Sequence, residues 1–436
     1  MATAQSALPS GAASGGPSGG PTDGVLRTND GVPLKTTLRR VNRRQKIIAF
    51  GLVLPLFLFI LITFLAPIGM MLFRAVDNPV LQEQIPRTVA LLNETWDGEG
   101  LPDDAVYDTL AEEMIQQYKV REIAKVGTRL NYEQGGLRSL ITSTARTIAR
   151  RAEPPWKEAF IKIDERWGEP ETWGIIQNAA PRYTLSFVLA ALDLRYDWQG
   201  DIVSQPENEQ IYVKMFVRTI WISGLVTVLC LALGFPVGYL LANLPMRQSN
   251  LLMILVLLPF WTSLLVRTTT WIVLLQTEGV LNDIMVWVGL ISDDGRVQMI
   301  YNQLGTIIAM THILLPFMVL PIFSVMKTIS PSHMRAARSL GATPPRAFWD
   351  VYVPQTLPGI GAGSILVFIL SVGYYITPAL VGGRTGQLIS NFIAYHMQKS
   401  LNWGLAAALG GLLLLGVLVL YWLYNRLVGI DKMKFG

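Results

Sequence analysis

Long apolar runs separated by short polar segments dominate this chain. One run begins at Ile47, and the pattern returns five times in the carboxyl-terminal half. A helix needs about 17–25 predominantly apolar residues to cross a bilayer, so each run is predicted to be a transmembrane helix. The predicted spans, numbered one to six, cover residues 47–73, 216–241, 251–275, 304–326, 360–376 and 405–427. The pattern favours an all-α membrane protein with six transmembrane helices.

The polar segments divide the chain into four regions. Residues 1–46 are rich in Gly, Ser, Ala and Pro and end in a basic cluster, which predicts a disordered cytoplasmic tail. The first span follows at 47–77. Residues 78–210, called the insertion below, are too long for a structureless connection and are predicted to form an external, largely helical region. Residues 211–436 form the predicted transmembrane domain, with a polar loop at 328–358 and a short helix at 280–290 that does not span.

Charge supports this topology. The chain is 51% hydrophobic and only 15% charged, whereas soluble domains carry about 25% charged residues. The insertion holds 22 acidic and 14 basic residues, and the remainder holds 9 acidic and 22 basic. Lys and Arg gather in cytoplasmic loops, so the acidic insertion is predicted to lie outside the membrane and both termini in the cytoplasm. The net charge of +5 therefore reflects loop positions and does not indicate nucleic-acid binding.

The insertion carries its own folding signals. The stretch from Pro102 places Val106, Leu110 and Met114 on one face of a predicted amphipathic helix. Four tryptophans are expected to form a small core or to contact the bilayer face: Trp156, Trp167, Trp173 and Trp198. Two roles remain open, a structural one and a docking site for a soluble external partner.

An ordered polar hairpin, residues 330–354, lies between the fourth and fifth spans. Ser330 before a proline is a helix-start signal, and Gly341 is typical of a helix end. Thr343 and the following proline repeat the start signal, and the second helix is expected to stop at Pro354. The sequence thus predicts two short helices joined by a tight turn on the cytoplasmic side.

The spacing in this hairpin resembles the EAA signature of ABC importer permeases. That signature has two alanines, a glycine four residues after the second, and a hydrophobic-x-Leu-Pro ending after nine further residues. Here Arg335 replaces the usual Glu and Val353 the usual Leu. The resemblance implies a type I ABC importer transmembrane domain whose hairpin is a coupling helix that fits a groove in an ATPase subunit. The coupling residues it implies are Arg335, Ala336, Ala337, Arg338, Gly341, Val351 and Pro354.

Two further stretches are similar to spermidine/putrescine-type permeases. They are LLPFWTSLLVRTTTWIVLL from Leu257 and GYYITPALVGG from Gly373, and the resemblance covers residues 211–436. It implies a permease subunit that forms half of the path for a small cationic solute such as putrescine or spermidine. It also implies an ATPase dimer that binds ATP and Mg, an external solute-binding protein and a second permease, which is usually a different chain in this branch.

Aromatic and hydroxyl side chains on spans three and five are candidates to line the path, because aromatic faces attract ammonium groups. The alternative is that they form an interfacial belt and pack between helices. The candidates are Trp261, Thr262, Arg267, Trp271, Tyr374, Tyr375 and Thr377. A charge within a span must face protein or water, so Arg267 either gates the path or contacts the external binding protein, or is a paired or snorkelling arginine. Because it repels cations, it is not assigned as a polyamine ligand.

The sequence offers no pattern for covalent chemistry. It has no G-x-x-x-x-G-K-[ST] loop, and its three histidines have neither metal-ligand spacing nor a catalytic arrangement. A transport subunit that is not an enzyme, with no cofactor or metal of its own, is therefore expected. GIGAG at Gly359 favours close helix packing over a dinucleotide loop.

Two other functions would leave different marks on the sequence. A secondary transporter would show intramembrane carboxylates or broken helices in matched halves, and the sequence indicates neither. A membrane-anchored assembly protein would act through the insertion and would need no coupling hairpin.

Overall fold

The computed structural model describes residues 34–151 and 153–428, and the chain forms two compact units, residues 1–69 and 70–436. A helix, Leu34–Ile60, passes through a π-helical turn, Leu61–Leu65, and continues as Ala66–Phe73. The predicted boundary of the tail at residue 46 is wrong, because the first helix already begins at Leu34. Leu, Lys and Arg are good helix formers, so the helix extends from the apolar run toward the amino terminus. Residues 1–33 lie outside the described part.

The insertion is a helical region with one small hairpin, as predicted. Its helices are Val80–Gln84, Pro86–Thr95, Asp104–Lys119, Ile123–Leu130, Leu137–Arg151, Trp156–Ile163, Pro170–Ala179 and Ser186–Ala190, with a 3-10 turn at Glu165–Gly168. Strands Leu194–Tyr196 and Ile202–Ser204 pair antiparallel, with Arg195 opposite Val203. The predicted amphipathic helix is confirmed, since Val106, Leu110 and Met114 are all buried.

An aromatic cluster fills the core of the insertion. The Tyr107 and Trp173 rings meet edge to face with centroids 4.7 Å apart, and the Phe160 and Trp167 rings do so at 4.9 Å. Trp167 donates its ring N–H to the Thr144 hydroxyl over 2.9 Å, so the burial of this polar group is compensated. The predicted tryptophan core is confirmed for Trp167 and Trp173, while the other two pack against it half-buried.

Tyr107 provides a test of this core. Its hydroxyl donates to the Trp167 carbonyl over 2.8 Å, and burial raises the pKa of Tyr107 from 10.0 to about 12. Tyr107→Phe is expected to cost about 1 kcal/mol at neutral pH through the lost hydrogen bond. As pH rises from 10 to 12 the wild type should lose this advantage, because the unfolded tyrosine ionises while the folded one stays protonated. Denaturation followed by tryptophan fluorescence measures the free energy of unfolding of the wild type and of Tyr107→Phe at each pH. A difference between the two that stays constant from pH 10 to 12 would contradict the raised pKa of Tyr107.

Asp193 joins the insertion to the transmembrane domain. Its Oδ1 accepts from the backbone N–H groups of Ile211 and Tyr212 over 3.1 and 2.9 Å, and Oδ2 accepts from Val213 over 2.9 Å. The carboxylate thus satisfies the free N–H groups at the start of the second span and complements the positive end of its dipole. Phe187 and Ala191 of the insertion pack nearby in a core shared with Leu405 and its neighbours.

The transmembrane helices follow the predicted order, with one important change. Five apolar helices in the described residues are long enough to span, and a bent pair makes a sixth. They are Gln45–Phe73, Tyr212–Asn243, the pair Met246–Trp261 and Leu264–Leu274, Gln303–Thr328, Pro344–Gly373 and Trp403–Arg426. Short elements between them are Val280–Trp287, Asp293–Gly295, Pro331–Ser339, Ile376–Val381 and Ile389–Gln398.

The third span is broken, although residues 251–275 were predicted as one helix. Its two halves meet at 99° around Thr262. Pro259 lacks an N–H and so removes one hydrogen bond of the helical ladder. Ser263 then caps the second half, since its side chain accepts from the Val266 N–H over 3.1 Å. Two local signals, neither of which interrupts the apolar run, end one helix and start another.

Spans two, four and five pack closely through small residues. A Cβ added at Gly359 would lie 2.9 Å from the Pro321 carbonyl oxygen, and one at Gly363 would lie 2.9 Å from the sulfur of Met318. On span two, a Cβ at Gly234 would also lie 2.9 Å from Met318. The prediction that GIGAG serves helix packing is confirmed, because only glycine permits this approach of backbones.

Candidate coupling surface and substrate path

The first helix of the hairpin has the predicted start and end. The Ser330 hydroxyl accepts from the Ser332 N–H over 3.3 Å. At the other end Gly341 has a φ of 92°, and the N–H groups of Gly341 and Ala342 donate to the carbonyls of Arg338 and Ala337 over 3.0 and 3.1 Å. These two bonds are those of a Schellman motif. The reversal therefore depends on a glycine in the left-handed region.

The second helix does not end at Pro354, which corrects the prediction. Helix Pro344–Ala347 runs through a π-helical turn, Phe348–Tyr352, directly into Val353–Gly373. Proline has no N–H to donate, so a helix tolerates it where the regular backbone hydrogen bonds are already interrupted. The wider π turn just before Pro354 provides such an interruption. The hairpin is thus continuous with span five, so a displacement of one end moves the other.

Aromatic contacts hold the hairpin against span two. The Phe348 ring stacks on Tyr352 at 5.6 Å and meets Tyr239 edge to face at 5.4 Å. His333 and Gln355 share a hydrogen bond of 2.7 Å that ties the two hairpin helices together. Edge-to-face and stacked pairs add about 0.5–1.5 kcal/mol each beyond burial, which makes the hairpin a rigid element.

The outer face of the hairpin exposes two large apolar side chains. Leu340 is 89% and Trp349 64% exposed. The coupling residues taken from the resemblance surround them: Arg335, Ala336, Arg338, Gly341 and Pro354 are exposed, and Ala337 and Val351 half-buried. Leu340 and Trp349 were not among the predicted coupling residues, although an apolar residue directly before a helix-ending glycine was an available signal for Leu340. Exposed apolar groups of this size mark a contact surface.

Arg267 holds the break in span three. Its Nη2 donates to the carbonyl of Pro259 and, over 3.0 Å, to that of Thr262, while Nε lies 3.5 Å from the Thr262 hydroxyl. These carbonyls lose their helical partners at the break, and a cation complements the negative end of the helix dipole. The contacts favour the paired, structural interpretation of Arg267.

Span five ends in a second break, at Tyr374 and Tyr375. The carbonyl of Tyr374 accepts from the Ser390 hydroxyl over 2.7 Å, and that of Tyr375 from the Asn391 side chain over 2.8 Å. No broken helices were predicted from the sequence, and the two breaks correct that prediction. Asp350, in the hairpin, is the one carboxylate within the described parts of the spans. Those parts therefore lack the intramembrane carboxylate that a proton-coupled secondary transporter would need.

The two breaks are linked. The hydroxyls of Thr268 and Thr377, one beyond each break, lie 3.4 Å apart and both side chains are buried. Trp271 donates its ring N–H to Nδ1 of His312 on span four over 3.2 Å. Thr268 and His312 were missed, although a histidine within an apolar run is itself a signal.

The remaining path candidates are less enclosed. Trp261 is 69% and Tyr375 40% exposed, so these rings extend from the breaks and do not pack between helices. The structure therefore brings together Thr262, Arg267, Trp271, Tyr374 and Thr377 around the two breaks. Within residues 34–151 and 153–428, no three His, Cys, Asp or Glu side chains group to hold a metal ion.

Replacing Arg267 tests its role. Arg267→Met is expected to destabilise the protein by about 1–3 kcal/mol, because the carbonyls of Pro259 and Thr262 lose the guanidinium donor and only the Thr262 hydroxyl still donates to Pro259. Arg267→Lys should be intermediate, since an ammonium keeps the charge but not the fork of donors. Thermal unfolding in detergent measures the effect, with the exposed Arg247→Met as the control. Equal unfolding temperatures for Arg267→Met and Arg247→Met would show that Arg267 does not hold the break.

Comparisons with known proteins identify the family of the chain. Residues 234–429 match the family described as binding-protein-dependent transport system inner membrane component. The spermidine/putrescine transport system permease protein PotB of Escherichia coli is 33% identical over 223 residues, which cover 50% of this chain and 80% of the relative. The inner membrane ABC transporter permease protein YdcU of the same organism is 32% identical over 205 residues, covering 44% and 65%.

A solved structure is also similar. It is a bacterial alginate ABC transporter in complex with an alginate-pentasaccharide-bound periplasmic protein. The matched chain has 18% identity and a TM-score of 0.45, with coverage of 52% of this chain and 81% of that one.

Proposed function

Because the chain belongs to the family of binding-protein-dependent transport system inner membrane components, the permease subunits of ABC importers, we propose that it forms half of an ATP-driven path for a small cationic solute such as putrescine or spermidine. The observation that carries this proposal is the continuity of the hairpin with span five. One rigid helix runs from the exposed coupling surface at Trp349 to the break at Tyr374.

This helix converts an ATPase movement into a change of the path. A separate ATPase dimer, which binds ATP and Mg, would receive Leu340 and Trp349 in a groove and draw the hairpins of two permeases together on closing. Since span five has no break between residues 344 and 373, its far end moves with the hairpin. Just beyond that end, across the break at Tyr374 and Tyr375, Thr377 contacts Thr268 of span three. A movement of span five would therefore shift the two breaks against each other and alternate the access of the path to the two sides of the membrane.

The chemistry around the breaks suits passage of a cation without tight binding. Hydroxyls and aromatic rings surround it, and each ring offers about 0.5–2 kcal/mol to an ammonium group. The Arg267 charge is directed at backbone carbonyls, which reduces its repulsion of a passing cation. The relative at 33% identity is a spermidine/putrescine permease, and this likeness supports the choice of a polyamine.

The partners and the orientation follow from the same proposal. A second permease, which is a different chain in this branch, would complete the path, and an external solute-binding protein would deliver the solute beside the insertion. Both termini and the hairpin would lie in the cytoplasm, where basic loop residues concentrate.

Reconstitution tests the proposal. The chain is placed in liposomes with the ATPase, second permease and binding protein of its own system, and ATP hydrolysis and uptake of labelled putrescine and spermidine are measured. ATP-dependent uptake of either supports the whole proposal. If a different solute stimulates ATP hydrolysis, the chain is an importer subunit but its solute is not a polyamine. If the chain recruits no ATPase, the importer function itself is rejected.

A further inference from the structure

A large basic pocket lies between the insertion and the start of span six, and none of the residues that line it lies at either helix break. Its volume is about 720 Å³. Arg74, Arg138 and Lys399 are exposed at its rim, Arg129 is buried in its wall, and Trp403 lies beside them. We call this site the basic pocket.

The rim cations are not neutralised within the described residues. No carboxylate lies within ion-pair distance of Arg74, Arg138 or Lys399 there. The lining carboxylate, Asp77, is held by Arg182 over 3.0 Å. Unpaired like charges around one cavity repel each other and favour an anion between them.

Arg129 lies in the wall of the basic pocket, where neighbouring side chains hold it in place. It is only 3% exposed, its Nε donates to the Asn78 side chain over 2.6 Å, and Nη1 pairs with Glu133 over 2.6 Å. Its Nη2 has no hydrogen-bond partner among the described residues. Its guanidinium also lies over the Phe187 ring at 4.9 Å, so the wall holds a buried cation that adds to the positive potential of the pocket.

The position of the pocket indicates the source of the anion. Arg74 directly follows the last residue of span one, and Trp403 is the first residue of span six. The Arg74 guanidinium lies over the Trp403 ring at 5.5 Å, and both residue types concentrate at membrane–water interfaces. The pocket therefore opens at the level of lipid headgroups, on the membrane surface that carries the insertion.

We propose that the basic pocket binds the phosphate group of an anionic phospholipid. Arg74, Arg138 and Lys399 would contact the phosphate at the rim, where guanidinium groups bind phosphate oxygens in pairs. Such a lipid would fasten the insertion to the membrane surface. The inference is independent of the transported solute.

Lipid binding to the purified full chain tests the proposal. The protein in mild detergent is titrated with phosphatidylglycerol or phosphatidylcholine, and retained lipid is counted by native mass spectrometry. The wild type should retain phosphatidylglycerol preferentially. The triple variant Arg74→Gln, Arg138→Gln, Lys399→Gln should lose this affinity by about tenfold or more, because each lost cation weakens attraction for an anionic headgroup severalfold.

A second triple variant provides the matched control. Lys119→Gln, Arg146→Gln and Lys162→Gln remove the same charge from exposed positions of the insertion outside the pocket, and this variant should bind like the wild type. Equal retention by both variants and the wild type would overturn the proposal. Inorganic phosphate is added as a competitor: if it binds with the same dependence on the rim residues while the two lipids do not differ, the ligand is free phosphate and the lipid is rejected.

Discussion

Replacing Leu340 with aspartate is expected to reduce ATP-driven uptake and permease-stimulated ATP hydrolysis by about thirtyfold, because central apolar anchors of an interface each contribute about 2 kcal/mol or more. The side chain is 89% exposed, so the protein itself should fold and unfold as the wild type does. In a partner groove the introduced carboxylate would be buried without a counter-charge. Trp349→Ala should have a similar though smaller effect.

Two controls separate coupling from folding. Leu340→Met keeps an apolar side chain of similar volume and should keep most of the activity. Val120→Asp makes the same kind of change at an exposed position of the insertion and should leave hydrolysis unchanged. If Leu340→Asp hydrolyses ATP and transports like Leu340→Met, the ATPase contacts another surface.

The second large effect is expected at Gly359. A valine there would place its Cβ 2.9 Å from the Pro321 carbonyl oxygen, 3.0 Å from Cβ of Val325 and 3.1 Å from Cα of Ile322. Two of these three atoms belong to the backbone of span four, which cannot move aside as a flexible side chain can. Gly359→Val should therefore destabilise the packing of spans four and five by about 3 kcal/mol, the upper end for overpacking.

Thermal unfolding and the monodisperse fraction in size-exclusion chromatography measure this loss. The matched control is Gly224→Val on span two, where no described atom lies within 4 Å of an added Cβ. It should behave as the wild type in both measurements. Similar behaviour of the two variants would mean that spans four and five approach less closely than described.

The fold could be predicted from the sequence wherever the signal was local. Apolar runs of sufficient length placed the spans, and a cap residue, a proline and Gly341 placed the first hairpin helix, because each acts through hydrogen bonds to neighbours within a few residues. The tryptophans of the insertion were a weaker signal. Burial of Trp167 and Trp173 was one of two expectations, and the packing of Tyr107 and Phe160 against them decided between the two.

The candidate site was only partly predictable. The structure brings the aromatic and hydroxyl candidates on spans three and five together, yet their relation to two helix breaks was not predicted. Pro259 and Ser263 are each compatible with a continuous membrane helix, since neighbouring groups can satisfy the freed carbonyls. Here Arg267 supplies the donors, and its role could not be separated from gating before this contact was known.

The sequence by itself determined the membrane class, the order of the spans, the insertion and the hairpin turn, because length, polarity and capping are properties of short segments. Only the tertiary structure decided that span three breaks, that the hairpin continues past Pro354 into span five, and that Thr268 meets Thr377. It also decided that Arg74 and Lys399, far apart in the chain, share one pocket. These features depend on the distance between residues remote in sequence, which no local pattern encodes.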